Sequence, residues 1–164
     1  MSQIIDDKLN CQGIISQEIR SREIGRHSKY YGLVAKYNIY FNRANNGDDY
    51  FIAYESYDLR ALFGFIRLRI LKNNSEKANP VFNVLKGRGL VRELHVYGDT
   101  QQVGVYKKNG SGSGCQHKGI GRGLLKEAER ITKENKIYGI AVISGEGVKE
   151  YYEKNGYYEK ETFM

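Results

Sequence analysis

The spacing of apolar residues changes along this chain from a period of two to a helical period, and that change limits the folds open to it. Residues 62–71 and 89–97 alternate at a period of two, which predicts strands. In the second of these, Leu90, Arg92, Leu94 and Val96 are expected on one face and Val91, Glu93, His95 and Tyr97 on the other. Between 119 and 136 the apolar residues recur at helical spacing, on a stripe formed by Ile120, Leu124, Leu125, Ala128 and Ile131. Strands followed by a long amphipathic helix indicate a sheet covered by that helix.

Further strands and turns complete this pattern. Residues 33–41 and 50–57 are rich in β-branched and aromatic side chains, and the turn-forming residues 45–48 between them predict a hairpin. After the helix, residues 138–144 predict a buried parallel strand, 147–155 a short helix ended by Gly156, and 157–163 an edge strand. The predicted fold class is α/β, with a mixed, mostly antiparallel sheet and a β-α-β core.

Length and composition favour one globular domain. The 164 residues fit a single domain, which we assign to residues 31–164, preceded by a basic N-terminal segment of residues 1–30. Hydrophobic residues make up 40% and charged residues 27%, which excludes the disordered and membrane classes. Two cysteines, Cys11 and Cys115, exclude a disulfide framework and a four-ligand zinc site, and we expect no metal. The start of the chain does not resemble a secretory signal, so we expect a cytoplasmic or nuclear protein.

The net charge of +7 favours anionic partners, either nucleic acid or a phosphate-bearing cofactor. The N-terminal segment contributes Arg20, Arg22, Arg26 and Lys29, followed by two tyrosines that suit stacked bases. A solvated basic surface explains the same charge, and both interpretations stay open.

A glycine-rich stretch opens the predicted helix. Residues 116–125 read Gln-His-Lys-Gly-Ile-Gly-Arg-Gly-Leu-Leu, so side chains are absent where a strand passes into the first helical turn. Unpaired N–H groups of residues 119–123 and the helix dipole favour an anion such as pyrophosphate. The stretch lacks the Gly-Lys-Ser/Thr ending of a Walker loop, and the antiparallel strands before it are not typical of a dinucleotide fold. A tight connection that binds no ligand remains the alternative.

These residues resemble the acetyl-CoA pyrophosphate loop of the Gcn5-related N-acetyltransferases, with its pattern Gln-x-x-Gly-x-Gly. Further stretches at 91–98, 128–131, 141–145 and 151–157 are similar to the acetyltransferase domains of the Elongator catalytic subunits. The similarity continues upstream through residues 64–69 and 20–25. It implies the acyl-CoA N-acyltransferase fold and acetyl-CoA as the cofactor.

The resemblance also implies roles for individual residues. Cofactor contacts are expected along the strand at Glu93, Leu94, His95 and Val96, and at the helix start from Gln116, Lys118, Gly119, Ile120, Gly121, Arg122 and Gly123. Tyr152 would contact the cofactor and act as the general acid at the leaving thiolate. Independently of the resemblance, the two-residue period places Glu93 and His95 on one face of the strand as candidate general bases, of which we take Glu93 as the catalytic residue. The alternatives are that Tyr152 only packs in the core and that Glu93 only holds the strand through Arg92 or Arg122.

The expected function follows from the same resemblance. It implies an acyltransferase that uses acetyl-CoA, or hydrolyses its thioester, and that acts with tRNA in wobble-uridine modification or on protein lysine. The three-cysteine iron–sulfur motif of the family's radical S-adenosylmethionine domain does not occur in these 164 residues, so a separate radical protein is an expected partner. The alternatives are a non-catalytic acetyl-CoA or tRNA binding module and a structural domain of a larger complex. No membrane partner is expected.

Overall fold

The fold is taken from a computed structural model that describes residues 2–30, 33–71, 82–97, 119–137 and 139–164. Its helices are α1 (Ser2–Cys11), α2 (Ile19–Arg22), α3 (Ile120–Glu134) and α4 (Lys149–Glu153), and its strands are β1 (Ala35–Ala44), β2 (Gly47–Ser56), β3 (Leu62–Leu71), β4 (Gly89–Val96) and β5 (Ile140–Val142). The predicted site residues Gln116 and Lys118, and also Cys115, lie outside the described residues. Within those ranges, no helix combines the length and the apolar character that a bilayer crossing requires.

The strands form one five-stranded sheet in the order β1-β2-β3-β4-β5. Neighbouring strands are antiparallel as far as β4, and β5 pairs with β4 in parallel. Helix α3 lies between β4 and β5 in the chain and packs across β2, β3 and β4. The predicted α/β class, with a mostly antiparallel mixed sheet and a β-α-β unit, is confirmed.

The predicted hairpin is the β1–β2 pair, and its turn is shorter than expected. Ala44 pairs with Gly47, so Asn45 and Asn46 form the whole turn. Asn46 has a φ of 57°, a left-handed conformation that asparagine tolerates better than most residues. The two strands remain paired up to this two-residue turn.

The main hydrophobic core lies between α3 and the sheet. The five residues of the predicted stripe on α3 are at most 6% exposed. They belong to the same core as Ile52 of β2, Ile66 of β3 and Val91 of β4. Burying one such aliphatic side chain contributes about 1.5–3 kcal/mol, so the stripe fixes the position of the helix and of its N-terminal turn.

The N-terminal segment packs against the sheet. Ile24 is fully buried in the main core, and Glu23 forms a parallel bridge with Leu62 of β3. Ile19 packs on a second small core that contains Phe65. The core is therefore continuous across residue 30, where the sequence suggested the start of the domain.

A β-bulge in β4 changes which side chains share a face. Arg67 pairs with Glu93 while the next residue, Leu68, pairs with Val91, so Arg92 is an extra residue in the ladder. Val91 and Leu94 consequently both face the main core under α3. The strict alternation predicted along 89–97 is wrong before the bulge, because one inserted residue exchanges the two faces.

The end of the chain differs from the prediction as well. The expected edge strand at 157–163 is wrong, because Lys160 and Phe163 close a tight turn that leaves only an isolated bridge. Met164 instead pairs with β5, donating to the Val142 carbonyl at 3.0 Å and accepting from the Val142 N–H at 2.6 Å. The short helix is confirmed as α4, and Gly156 follows it with a φ of 90°.

Candidate functional site

The first turn of α3 presents main-chain donors with little side-chain cover. Gly119 is the N-cap and has a φ of 106°, which glycine adopts without strain. The first hydrogen bond within the helix runs from the Gly123 N–H to the Gly119 carbonyl at 2.8 Å. The N–H groups of Gly119 to Arg122 thus have no partner inside the helix. The predicted donor set of residues 119–123 is one residue too long, because the Gly123 amide is already paired.

Three elements meet at Gly121, the central glycine of this turn. A β-carbon built on Gly121 would stand 2.5 Å from Oη of Tyr151 on α4 and 3.4 Å from Cγ2 of Val96 on β4. Burial raises the pKa of the Tyr151 phenol, and the guanidinium of Arg122 acts in the opposite direction. Glycine at this position therefore lets a phenol and a strand end approach the helix start.

Gly123 lies where a tyrosine of β1 approaches the helix. A β-carbon there would overlap the hydroxyl of Tyr37 on β1. Burial raises the pKa of Tyr37, and the neighbouring Tyr54 and Glu127 add to the shift. The approach of Tyr37 from the edge strand thus explains why residue 123 is a glycine. The sequence indicated only a phosphate contact at this position.

Strands β4 and β5 are paired over part of their length only. The parallel ladder joins Gly89, Leu90 and Val91 to Ile140–Val142, and the Ile143 N–H then donates to the Val91 carbonyl at 3.0 Å. Beyond this bond the described parts of the two strands are not paired, so β5 leaves the edge of β4 uncovered from Arg92 to Val96. Ser144 lies just past the last bond, and its hydroxyl is buried with no hydrogen-bond partner among the described residues.

Alternation along β4 decides which main-chain groups face this opening. The Tyr97 N–H donates to the Phe63 carbonyl of β3 at 2.8 Å. Because main-chain groups point to opposite edges at successive residues, those of His95 also face β3, and those of Leu94 and Val96 face the opening. The expectation that His95 would offer its main chain to a cofactor is therefore corrected, while Leu94 and Val96 keep that position.

The two candidate bases lie on the sheet face opposite α3. Glu93 forms an ion pair with Arg67 at 3.0 Å, and both side chains are about two-fifths exposed. His95 is exposed and stacks on Phe65 with ring centroids 5.1 Å apart. Within the described ranges, no three His, Cys, Asp or Glu side chains lie close enough to hold a metal ion. The opening beside β4 thus has main-chain donors and Tyr151 on one face of the sheet and titratable side chains on the other.

The adjacent tyrosines of α4 point in different directions. Tyr152 is only 5% exposed and lies in the main core, with its ring centroid 5.3 Å from that of Tyr151 and 6.0 Å from that of Tyr157. Burial raises the pKa of Tyr152, and the Tyr151 phenol adds to the shift. Tyr151 is the residue that reaches Gly121, and sequence reasoning gave it no role. The available signal was helical geometry, since neighbouring side chains on a helix diverge by roughly a quarter turn.

These features fit the two halves of acetyl-CoA. The N–H groups of Gly119 to Arg122, which have no partner inside the helix, suit an anionic pyrophosphate, and Gly121 leaves room for the Tyr151 hydroxyl beside them. The free edge of β4 suits an extended arm that carries amide groups. The buried Ser144 hydroxyl offers one more polar partner at the end of β5.

The chain is similar to several known proteins. No family model matches the chain. Elongator complex protein 3 of Bos taurus is 36% identical over 157 residues, covering 93% of this chain and 27% of that protein, and the Schizosaccharomyces pombe protein of the same name is 38% identical, covering 92% and 27%. The tRNA uridine(34) acetyltransferase of Methanocaldococcus jannaschii is 34% identical, covering 100% of this chain and 30% of that protein.

A solved structure shows the same fold. Elp3 of Methanocaldococcus infernus with an N-terminal deletion superposes with a TM-score of 0.70 at 32% identity, covering 99% of this chain and 38% of that one. The chain spans about 25–30% of the length of the curated relatives it matches. The resemblance drawn from the sequence is thereby confirmed: this chain is a homologue of one portion of Elongator complex protein 3 and belongs to that family.

Proposed function

We propose that this chain binds acetyl-CoA in the opening beside β4 and transfers its acetyl group, acting with tRNA. The observation that carries the proposal is the junction at Gly121, where unpaired main-chain donors of α3 adjoin the open edge of β4. The names of the relatives support it, since they include a tRNA uridine(34) acetyltransferase. The chain spans only part of those proteins, so the proposal concerns acetyl transfer, and radical chemistry would come from another domain or protein.

Binding would use main-chain groups more than side chains. The N–H groups of Ile120, Gly121 and Arg122 would donate to the pyrophosphate, where the helix dipole adds favourable charge. Leu94 and Val96 would pair with the amide-bearing arm as if it were a further strand. Gln116 and Lys118 remain expected contributors from outside the described residues.

Catalysis needs an electrophile, an acid and a base. When bound, acetyl-CoA supplies an activated thioester. A main-chain N–H at the β4 edge would polarise its carbonyl, and a phenol would protonate the leaving thiolate. Tyr152 is the predicted acid, and burial raises its pKa, which keeps the phenol protonated at neutral pH. Tyr151, whose hydroxyl adjoins Gly121, is the alternative donor.

The acceptor would approach from the sheet face opposite α3. Glu93 and His95 lie on that face beside the opening, so either could accept a proton from an attacking amine. The ion pair of Glu93 with Arg67 holds the carboxylate toward β3, so the carboxylate would have to leave Arg67 to act as the base. Because both candidates are side chains of one strand, their variants can be compared without changing the cofactor side. An amine of a protein lysine and an acceptor in tRNA are the two substrate classes that the proposal includes.

A second candidate function is a binding module that holds acetyl-CoA or tRNA without turnover. The burial of Tyr152 and the ion pair of Glu93 favour it, because both candidate catalytic groups already have structural roles. An enzyme and a module that holds acetyl-CoA both predict acetyl-CoA binding, and they differ in the release of free CoA thiol.

The test measures binding and turnover separately. Calorimetry with acetyl-CoA is expected to give saturable binding, and bound cofactor should raise the melting temperature, because a ligand that binds only the folded state stabilises it. Thiol release is then followed without acceptor, with bulk tRNA and with a histone-tail peptide. Release above background supports the enzyme, and binding of acetyl-CoA or tRNA without release supports the binding module. Absence of acetyl-CoA binding rejects the enzyme, and absence of binding to both ligands rejects the module as well.

A further inference from the structure

The outer edge of β1 is the longest strand edge left without a partner in the described part of the chain. β1 is the first strand of the sheet, and within the described ranges it pairs only with β2. Its central residues, 37–42, read Tyr-Asn-Ile-Tyr-Phe-Asn and carry no charge. Proteins commonly protect a long edge with a proline, a central charge or a bulge, and this stretch has none of them. The edge is therefore open to a further strand.

Three side chains of β1 lie on the face of the sheet that α3 covers, yet they are only half-buried. The helix packs across β2, β3 and β4. Beyond it, Tyr37, Ile39 and Phe41 of β1 are 39%, 42% and 52% exposed. Their neighbours on β2 belong to the main core or pack on it. The three side chains thus continue the apolar layer of the core to the edge of the sheet, where a second apolar strand would bury them.

The register of the hairpin decides which main-chain groups of β1 point outward. Ala44 and Gly47 flank the two-residue turn and therefore form a hydrogen-bonded pair. Because main-chain groups point to opposite edges at successive residues, those of the odd-numbered residues from Ala35 to Arg43 face away from β2. The outward donors and acceptors thus belong to the same residues whose apolar side chains share the face of α3.

We propose that two copies of this chain pair through β1, antiparallel and centred on Ile39, so that their sheets become one. In this register Ile39 lies opposite Ile39 of the second copy, and Tyr37 lies opposite Phe41. All three residues have outward main-chain groups, so each forms a hydrogen-bonded pair across the new contact. Aromatic and aliphatic side chains placed opposite each other in this way stabilise antiparallel sheets.

The same register keeps the charges of β1 apart. Lys36 lies opposite Asn42 of the second copy, and Arg43 lies opposite Ala35. Like charges directly opposite would destabilise the pairing, and this register places none there. Arg43 also lies 3.8 Å from Asp48 of its own hairpin, which balances part of its charge. The strand is therefore complementary to a second copy of itself.

The length of β1 selects this register among those that its outward groups allow. The strand runs from Ala35 to Ala44, so pairing centred on Ile39 uses nearly all of it. Registers centred on Tyr37 or Phe41 would pair a shorter stretch. Antiparallel pairing of identical strands has two-fold symmetry and closes after two copies. The opening beside β4 lies toward the other end of the sheet, so this inference goes beyond the proposed function and is independent of it.

The first experiment is sedimentation equilibrium of the full chain over a range of concentrations. It is run at high salt, because the net charge of +7 on each copy opposes association and is screened there. The variant Ile39→Lys places two ammonium groups opposite each other at the symmetry axis, and we expect it to raise the dissociation constant at least about tenfold. Val148→Lys is the matched control, since Val148 is 47% exposed and lies outside β1. Melting temperatures show whether each variant is folded.

The second experiment identifies the register without relying on a disruptive variant. Cysteine is introduced singly at Tyr37, Ile39 and Phe41, in a chain whose own Cys11 and Cys115 are changed to serine. Directly opposed residues of a hydrogen-bonded antiparallel pair have α-carbons about 5.5 Å apart, a distance that a disulfide spans. Under mild oxidation we therefore expect a covalent dimer from Ile39→Cys alone.

A reversible dimer that Ile39→Lys weakens and Val148→Lys preserves, together with cross-linking at position 39, would support the inference. A chain that stays monomeric at every concentration would overturn it and leave the edge to a different protein. Equal effects of the two lysine variants, or cross-linking at 37 or 41 in place of 39, would overturn it as well. Acetyl-CoA binding by each variant is measured in parallel and should equal that of the wild type, so failure of the dimer and failure of the proposed function are distinguishable.

Discussion

The hydroxyl of Tyr151 lies 2.5 Å from the point where a β-carbon of Gly121 would stand. The phenol comes from α4 and the glycine from the first turn of α3, so one contact joins the end of the chain to the predicted phosphate loop. Any side chain at 121 would push this phenol away and enter the space proposed for pyrophosphate.

Gly121→Glu should abolish acetyl-CoA binding. The substitution places a carboxylate beside the main-chain donors of α3, where it repels a pyrophosphate and fills its space. Gly25→Glu is the matched control, because Gly25 is exposed and a β-carbon there meets no atom within 4 Å. Calorimetry on both variants is expected to show wild-type affinity for the control alone. If Gly121→Glu keeps full affinity for acetyl-CoA and an unchanged melting temperature, the phosphates do not bind at this turn.

Tyr152→Phe should lower the rate of thiol release by about a hundredfold while acetyl-CoA affinity stays close to that of the wild type. Phenylalanine keeps the packing of the ring in the core, so the loss would report the hydroxyl alone. Tyr151→Phe is the parallel variant, because its hydroxyl is the one beside Gly121. A large rate loss in Tyr151→Phe with none in Tyr152→Phe would assign the acid to the other tyrosine.

Glu55→Gln should destabilise the fold by about 3–5 kcal/mol, because it leaves the buried Arg22 charge without its partner. The two side chains are 5% and 0% exposed and 2.6 Å apart. Glu134→Gln, in the exposed pair with Arg130, is the control and should cost about 0.5 kcal/mol at most. Urea denaturation of both variants gives the comparison. Similar losses of unfolding free energy in the two variants would mean that the buried ion pair stabilises the fold no more than the exposed one.

Alkaline pH should weaken the fold through Tyr30. Burial and the hydrogen bond to Asp58 raise the pKa of Tyr30 to about 12. A pKa that is higher in the folded state than in the unfolded chain contributes stability at lower pH, and this contribution is lost as the pH rises from about 10 to about 12. Denaturation at increasing pH should show a decline that is smaller in Tyr30→Phe than in the control Tyr158→Phe, whose ring is 68% exposed. Identical declines in both variants would exclude Tyr30 as the source.

Local patterns in the sequence determined much of the architecture. The hairpin, β3, β4 and the stripe on α3 were predictable because alternation and helical spacing record which side of an element is buried. The glycine-rich helix start was predictable for a similar reason. Glycine at position 119 adopts a positive φ without strain, and this preference depends only on the local backbone.

Only the tertiary structure decided the rest, because the contacts concerned join residues far apart in sequence. The bulge at Arg92 depends on the pairing of β4 with β3, and no period within β4 records it. The burial of Arg22 depends on Glu55, and the glycine at 123 depends on Tyr37, each on a different element. Which tyrosine of α4 reaches the helix start was set by how α4 docks on α3. Such contacts form only when the elements pack together, and the spacing of residues within one element does not identify the residue that it will contact.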